Sequence, residues 1–462
     1  MASSRVLGRV SLVSALLAIA ANALACGKWQ RVGTVEAPDP GQYVARLFDA
    51  TSVYRDMGLF VAEDQIPFVA SVRFLAGPSE DSTIAIVGVS MANTALSFRR
   101  SGEVYEARYR VELVFRRGEE VVLRSRRSET VRLQSLAETE RALENVVFQQ
   151  FVHIPPGVVT LTITVRDQNA TVFGEASGQI DVPTFGAGLQ LSSLIPVYEA
   201  SARTARSASP SAVVNVKGAI PYGAGTLRLF LEAYDRPAGD TIVVRAVPRE
   251  SRETEAWRTE VALESGRPVQ GLVVLVDAEV LPMGEVYFEA WVPGSRDTVR
   301  ATALVSFSDR WVVANFEDML SLLRYFGAES AIREMQQAAP DQRPGLWRTF
   351  WETTDPDPQT PGNEAMELYF QRLHEANERF EEPGTPGWLT DRGEVFVTLG
   401  PPDEIFDSSS DLEGGIRYIR WTYISARLRL EYLDESGFGR FLMTSLSRAE
   451  FMRVVNRERR RG

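Results

Sequence analysis

Few residues in this 462-residue chain have the type and spacing that chemistry requires. The two histidines, His153 and His374, lie in segments with separate apolar patterns, and Cys26 is the single cysteine. A zinc site assembled from His and Cys is therefore excluded. In "TTDPDPQTPGNE", Asp355 and Asp357 have the look of a calcium loop, but Thr360 stands where an EF-hand turn needs glycine and the closing Glu is missing. No nucleophile elbow, phosphate loop or dinucleotide fingerprint occurs. His374 follows Leu373 on an amphipathic pattern, the setting of an ordinary helical histidine rather than a general base. One conspicuous stretch remains, "EEPGTPGWLTDRGEVFVTLGPPDEIF". It contains Gly387, Trp388, Thr390, Asp391 and Gly393, and Asp391 with Asp403 and Glu404 downstream are the carboxylates a hydrolase would use. The residues imply no catalytic group, cofactor or metal.

Each signature residue also has a structural use. Trp388 has the area to pack a helix onto a sheet. Thr390 and Asp391 carry short side-chain oxygens that accept backbone N–H groups in a turn. Gly393 permits a positive φ before "EVFVTLG", read as a strand, and Gly400-Pro401-Pro402 stops it. This reading makes the corner a packing element.

The elements that hold the corner follow from periodicity. Upstream, "NFEDMLSLLRYF" places Phe316, Met319, Leu320 and Leu323 on one helical face, and "GLWRTFWETTD" does the same for Leu346, Trp347, Phe350 and Trp351. A third helix is predicted after Thr360-Pro361, with Met366, Tyr369, Phe370, Leu373, Asn377 and Phe380 as its stripe. Downstream, a three-stranded meander is expected: "EVFVTLG", "RYIRWTYI" running on to "ARLRLEYLD", and "FGRFLMTS", with a turn at residues 434–437. Leu428, Leu430 and Tyr432 are its inward residues.

Before this α+β region the period is two. In "VYEARYRVELVF" the residues Tyr105, Ala107, Tyr109, Val111, Leu113 and Phe115 alternate with charged ones, and "VVTLTITVRD" repeats the pattern. Such strands make antiparallel sheets with one wet face. A second β-rich block, with "TLRLFLEAYD", "TIVVRAVPR" and "EVYFEAWVP", follows the small polar stretch "SARTARSASPSA". The expected fold is multi-domain: two antiparallel β-sandwich (Ig-like) domains over 63–187 and 188–309, then an α+β domain with a three-stranded meander over 310–450. A linker or helical segment over 26–62 precedes them, and a basic tail over 451–462 ends the chain. Trp257 and Trp291 are the aromatics a carbohydrate-binding sandwich would use, although Trp291 sits in a strand pattern.

A net charge of −11 disfavours general nucleic-acid binding, which needs a basic surface. The basic residues are almost all Arg, with lysine only at positions 28 and 217. Residues 1–25 read as a signal peptide: Arg5 and Arg9, then "VSLVSALLAIAANALA", ending in the small-x-small site Ala23-Leu24-Ala25. No later segment is long and apolar enough to span a bilayer. Cys26 directly after the site resembles the lipid-attachment cysteine of bacterial lipoproteins, although Ala23 replaces the usual Leu. Ordinary cleavage and a free thiol are the alternatives.

Taken with its surroundings, the five-residue motif Gly387-Trp388-Leu389-Thr390-Asp391 resembles the GWxTD domain family of exported bacterial proteins. "FWETTDPDPQTPGNE" and "DRGEVFVTLGPPDEI" resemble the flanks of that family, and the likeness covers about Leu346 to Thr444. The resemblance implies a cell-envelope setting, in the periplasm or at the outer membrane, without a defined activity. The expected function is a non-enzymatic structural or docking module with an envelope protein as partner, held to the membrane by a lipid on Cys26. The alternative is an envelope hydrolase of glycan or peptide using carboxylates near the motif.

Overall fold

The computed structural model describes residues 50–458 except 140–144, 187–190, 224, 238, 252, 265–266, 296–297, 308–315, 361, 383–384, 409–416, 436 and 438. Residues 1–25, expected to be a signal peptide, and Cys26 lie outside the described residues.

The first block starts with a short helix, α1 (Ala50–Asp56), and the strands β1 (Phe60–Ala62), β2 (Phe68–Ala76) and β3 (Thr83–Ala92). It continues with β4 (Arg99–Ser101), β5 (Val104–Arg117), β6 (Glu120–Leu133), the turn-like helix α2 (Leu136–Thr139), β7 (Asn145–Ile154), β8 (Gly157–Asp167) and β9 (Phe173–Val182). Sheet A has the order β1-β2-β3-β7; sheet B has β4-β5-β8-β9, with β6 also paired to β5. The alternation read in β5 is realised: Ala107, Tyr109, Val111, Leu113 and Phe115 are buried and join Phe68, Val87, Val89 and Val152 of sheet A in one core. Because β1 pairs with β2, the β block begins before residue 63.

The expectation of one wet face per sheet fails for sheet A. Ile84 and Ile86 of β3 and Leu75 of β2 point away from sheet B and pack against Ile195, Val197, Val214 and Phe230 of the second block. The run "TIAIVGVSMA" in β3 is apolar at both parities, as a strand covered on two sides must be.

The second block comprises β10 (Ile195–Ser201), β11 (Ser211–Val214), β12 (Ala219–Pro221), β13 (Thr226–Tyr234), β14 (Thr241–Pro248), β15 (Trp257–Ala262), β16 (Val269–Asp277), β17 (Gly284–Trp291) and β18 (Thr298–Ser306). Sheet C runs β11-β10-β13-β16 and sheet D runs β12-β18-β17-β14-β15. All pairings are antiparallel except that of β12 with β18.

Helices follow: α3 (Phe316–Leu322), α4 (Glu329–Gln337), α5 (Arg343–Thr354), α6 (Glu364–Arg379) and α7 (Asp391–Leu399). They are seated on the β region through aromatic contacts, Phe307 with Phe370 at 4.7 Å and with Trp347 at 6.0 Å. Sheet E, ordered β19 (Glu404–Asp407), β20 (Arg417–Tyr423), β21 (Leu428–Asp434) and β22 (Leu442–Met443), precedes the last helix, α8 (Ser445–Glu458).

Four sequence expectations are corrected here. "EVFVTLG" belongs to helix α7, because Thr390 and the acidic first turn start a helix ahead of its β-branched residues. The meander therefore has four short strands of its own, and "RYIRWTYI" and "ARLRLEYLD" form a hairpin, folded back where Arg427 takes φ 51°. Helix α6 is capped by Asn363, whose side chain accepts from the Met366 N–H, rather than by Thr360; Pro361 lies outside the described residues. The stretch from 451 to 458 is helix and not a solvated tail, since Phe451, Val454 and Val455 are buried on one face of α8.

Candidate functional site

The GWLTD segment is a single 3-10 turn, Gly387–Leu389, followed by the N-cap of α7. The Thr390 hydroxyl donates to Gly387 O (2.7 Å) and accepts from the Gly393 N–H (3.1 Å), so it ties the turn to the helix it starts. Gly393 does not take a positive φ. Its glycine is required by closeness: a Cβ there would stand 2.0 Å from Gly387 O. Gly387 is equally confined, since a Cβ on it would stand 2.3 Å from Ala376 O at the end of α6.

Trp388 is 3% exposed. Its ring meets Tyr325 edge-on at 6.2 Å and lies beneath the Arg324 guanidinium at 5.2 Å. Its Nε1 and the Tyr432 hydroxyl are buried without a hydrogen-bond partner among the described residues. Burial pushes the Tyr432 phenol well above its ordinary pKa, so it stays protonated.

Asp391 is engaged at both oxygens. Oδ2 accepts from the Met443 N–H at 2.6 Å, and Oδ1 pairs with Arg448, which also pairs with Glu394. Burial alone would lower the Arg448 pKa, but the bonds with Glu394 and Asp391 raise it overall. One carboxylate thus joins the start of α7 to the sheet edge β22 and to α8. Glu382 does the same a few residues earlier: its Oε1 accepts from Arg392 (3.0 Å) and from the Phe441 N–H (3.1 Å). Behind these ties runs an aromatic seam, Phe380 against Phe396 and Trp421, and Trp421 against Tyr432.

The other residues singled out by sequence are placed elsewhere. Asp403 accepts from the Ile424 N–H (2.6 Å) and closes a turn, while Glu404 is exposed on β19. His374 faces Glu378 one helical turn on, at 3.5 Å, and His153 Nδ1 lies 3.2 Å from the Ser82 hydroxyl in sheet A. The Asp355 carboxylate accepts from the Asp357 N–H. Trp291 is covered by Arg245 and Arg258, whose guanidinium carbons lie 5.4 and 5.6 Å from its centroid, and Trp257 is half-buried. Among the described residues no three of His, Cys, Asp and Glu form a metal-holding group.

Sequence reasoning overlooked the partners Met443, Phe441 and Arg448. They lie about fifty residues beyond the motif, and no local pattern marks a backbone N–H as an acceptor's target. The helical start of α7 did have a signal, a Thr cap with Asp391 and Glu394 in the first turn.

The GWxTD domain profile matches residues 295–431. This segment belongs to the GWxTD domain family. The matched segment ends inside β21, so Asp391 of the motif reaches Met443 and Arg448 beyond the profile. No curated protein matches the chain. Among solved structures, the BSP domain of a biofilm-associated protein is similar at 9% identity and a TM-score of 0.17, covering 56% of this chain and 54% of that one. This chain thus spans about half the length of that structure. A bacterial adhesin from Mobiluncus mulieris is similar at 10% identity and a TM-score of 0.13, covering 48% and 79%.

Proposed function

We propose that this is an exported envelope protein that works without catalysis, as a docking module. Its GWxTD signature builds the module rather than contacting a ligand. The β region is read as two Ig-like sandwiches acting as a spacer, anchored at the membrane by a lipid on Cys26. The observation that carries this reading is the use of the signature: Trp388 is buried, Thr390 caps α7, and both oxygens of Asp391 hold other elements of the same chain.

The signature delivers a specific surface. Helix α7 ends at Gly400, whose carbonyl accepts from the buried Tyr423 hydroxyl (2.8 Å), and the chain passes through Pro401-Pro402 directly into β19. Strand β19 is the terminal strand of sheet E and all four of its residues are exposed, including Ile405 at 52% and Phe406 at 50%. An edge strand with bare hydrophobic side chains is a template for another strand. The partner we infer is an extended segment of an envelope protein that adds to β19.

A photo-crosslinking residue placed at Phe406 in the producing cell tests this. The expected result is one dominant adduct, mapping to an extended segment of an envelope protein, and lost when Ile405→Pro removes strand pairing. Equal adducts from Val273 on sheet C, or no adduct at Phe406, would overturn it.

A further inference from the structure

The outer face of sheet B collects positive charge that the fold does not neutralise. In an antiparallel ladder directly paired residues share a face. The register therefore places Arg108 and Arg110 of β5, Arg124, Arg126 and Arg132 of β6, and Arg166 of β8 on one side, all exposed. The same face holds four carboxylates, Glu106, Glu112, Glu175 and, towards its far end on β9, Asp181, and the first two are shared. Glu106 is bracketed by Arg132 (2.9 Å) and Arg108 (3.3 Å), and Glu112 by Arg126 (3.0 Å) and Arg124 (3.4 Å). Glu175 takes the Thr164 hydroxyl (2.9 Å).

Arg110 and Arg166 stand directly opposite each other. Like charges in that position are destabilising, and among the described residues neither has a carboxylate partner. Arg110 donates to the Ser128 hydroxyl (3.4 Å), and Arg166 lies over the Phe173 ring at 4.7 Å. Sheet D shows the ordinary solution: Arg245 and Arg300 both reach Glu289, and Glu255 serves Arg245 and Arg258. A cationic face on a chain of net charge −11 is thus a local feature, not a reflection of overall composition.

We propose that the outer face of sheet B, centred on Arg110 and Arg166, binds an anionic polysaccharide bearing carboxylate groups. Guanidinium forks match planar carboxylates, and the hydroxyls of Ser128, Thr130, Thr162 and Ser177 lie in the same rows to meet sugar hydroxyls. Successive arginines on a strand repeat at about 6.6 Å, so an extended polyanion lying along β5 and β6 meets several at once. Single-stranded nucleic acid fits less well, because base stacking needs open aromatic faces and Phe173 is already covered by Arg166. Duplex DNA readout needs a helix or a two-stranded ribbon that enters a groove, and β5 is flanked by β6 and β8 within a broader sheet. The site is separate from β19 and stands whether or not that strand docks a protein.

The test is titration of the full chain with a polyuronate, sodium alginate, at about 50 mM and about 200 mM salt, beside neutral dextran, duplex DNA and phosphatidylglycerol vesicles. Alginate should bind, with affinity falling on the order of tenfold across that salt range. Arg110→Ser/Arg166→Ser should weaken binding by about tenfold or more, while the chain keeps its thermal midpoint because a like-charge pair has been removed. Arg245→Ser/Arg300→Ser on sheet D should leave binding unchanged. Absence of alginate binding, equal binding of dextran, DNA or vesicles, or a double variant that binds as well as the parent would overturn the proposal. Should the double variant lose its midpoint, Arg166→Ser alone is read by the same criteria.

Discussion

At Trp388 and Gly393 the signature is a problem of space. The indole is enclosed by Tyr325 and Arg324, so Trp388→Ala leaves a cavity and should cost about 3–5 kcal/mol in chemical unfolding. Trp388→Phe should cost markedly less, since it keeps most of the ring and removes a buried N–H that has no partner among the described residues. Gly393→Ala is the harsher change relative to its size. Its methyl would meet a backbone carbonyl that is itself pinned against α6, and neither side has a flexible end to yield. Thr390→Ala removes only a cap and should cost about 1 kcal/mol. The order expected is therefore Trp388→Ala and Gly393→Ala well above Thr390→Ala. A Gly393→Ala variant as stable as the parent would show that the turn and α7 are not packed as closely as described. The sequence marked these positions by type, but suggested the wrong reason for Gly393: glycine serves dihedral freedom and close approach alike, and only the packing around it separates the two.

Among the elements, legibility depended on whether neighbours agreed with local pattern. The stripes of α3, α5 and α6 were readable because a helix packed on one side declares its period, and Met366, Phe370 and Leu373 are buried as that period requires. Helix α7 was misread because Val395, Phe396 and Val397 favour strands locally, and burial among α6 and sheet E overrides a weak propensity. The dual burial of β3 was hidden for a similar reason, since the second block that covers it lies about a hundred residues away. The β5–β6 ladder, by contrast, carries its own electrostatic signature. Glu106 is held below its ordinary value of 4.5, chiefly by the hydrogen bond from Arg132, with Arg108 assisting. A lowered folded pKa contributes stability that is present above 4.5 and is lost as pH falls through the lowered value. Glu106→Gln should thus lower the thermal midpoint at neutral pH and flatten the decline below about pH 4.5. An acid limb identical to the parent's would show that the pairing is not formed in solution.

For the described chain as a whole, the question is whether the β blocks melt together. Sheet A is covered by sheet B on one side and by sheet C on the other, and the second contact is tied at one corner by a buried ion pair. Arg203 forks onto Glu232 at 2.8 and 2.6 Å, and the two side chains are 1% and 0% exposed. The same guanidinium donates to Ala76 O of β2 (2.9 Å), and the Ala76 N–H donates to the hydroxyl of Tyr234, which itself donates to Glu232. Phe74 and Ser193 exchange two further bonds, so a strand of the first block and the entry to the second share their backbone hydrogen bonding. Burial would lower the Arg203 pKa, but its bond with Glu232 outweighs that and keeps it charged. Arg203→Met leaves Glu232 buried and uncompensated, which should cost about 3–5 kcal/mol. Arg203→Met/Glu232→Met removes both charges and should recover part of that loss, because a paired buried charge is expensive to strip from one side and less so from both. With the corner joining the blocks, the parent should melt in one calorimetric transition and the single variant should split it, with the first block melting apart from the second. A single variant that loses stability without losing cooperativity would mean that the apolar contact between β3 and β13 couples the sheets by itself and that the ion pair only sets their register, whereas two transitions in the parent would mean that neither contact couples the blocks.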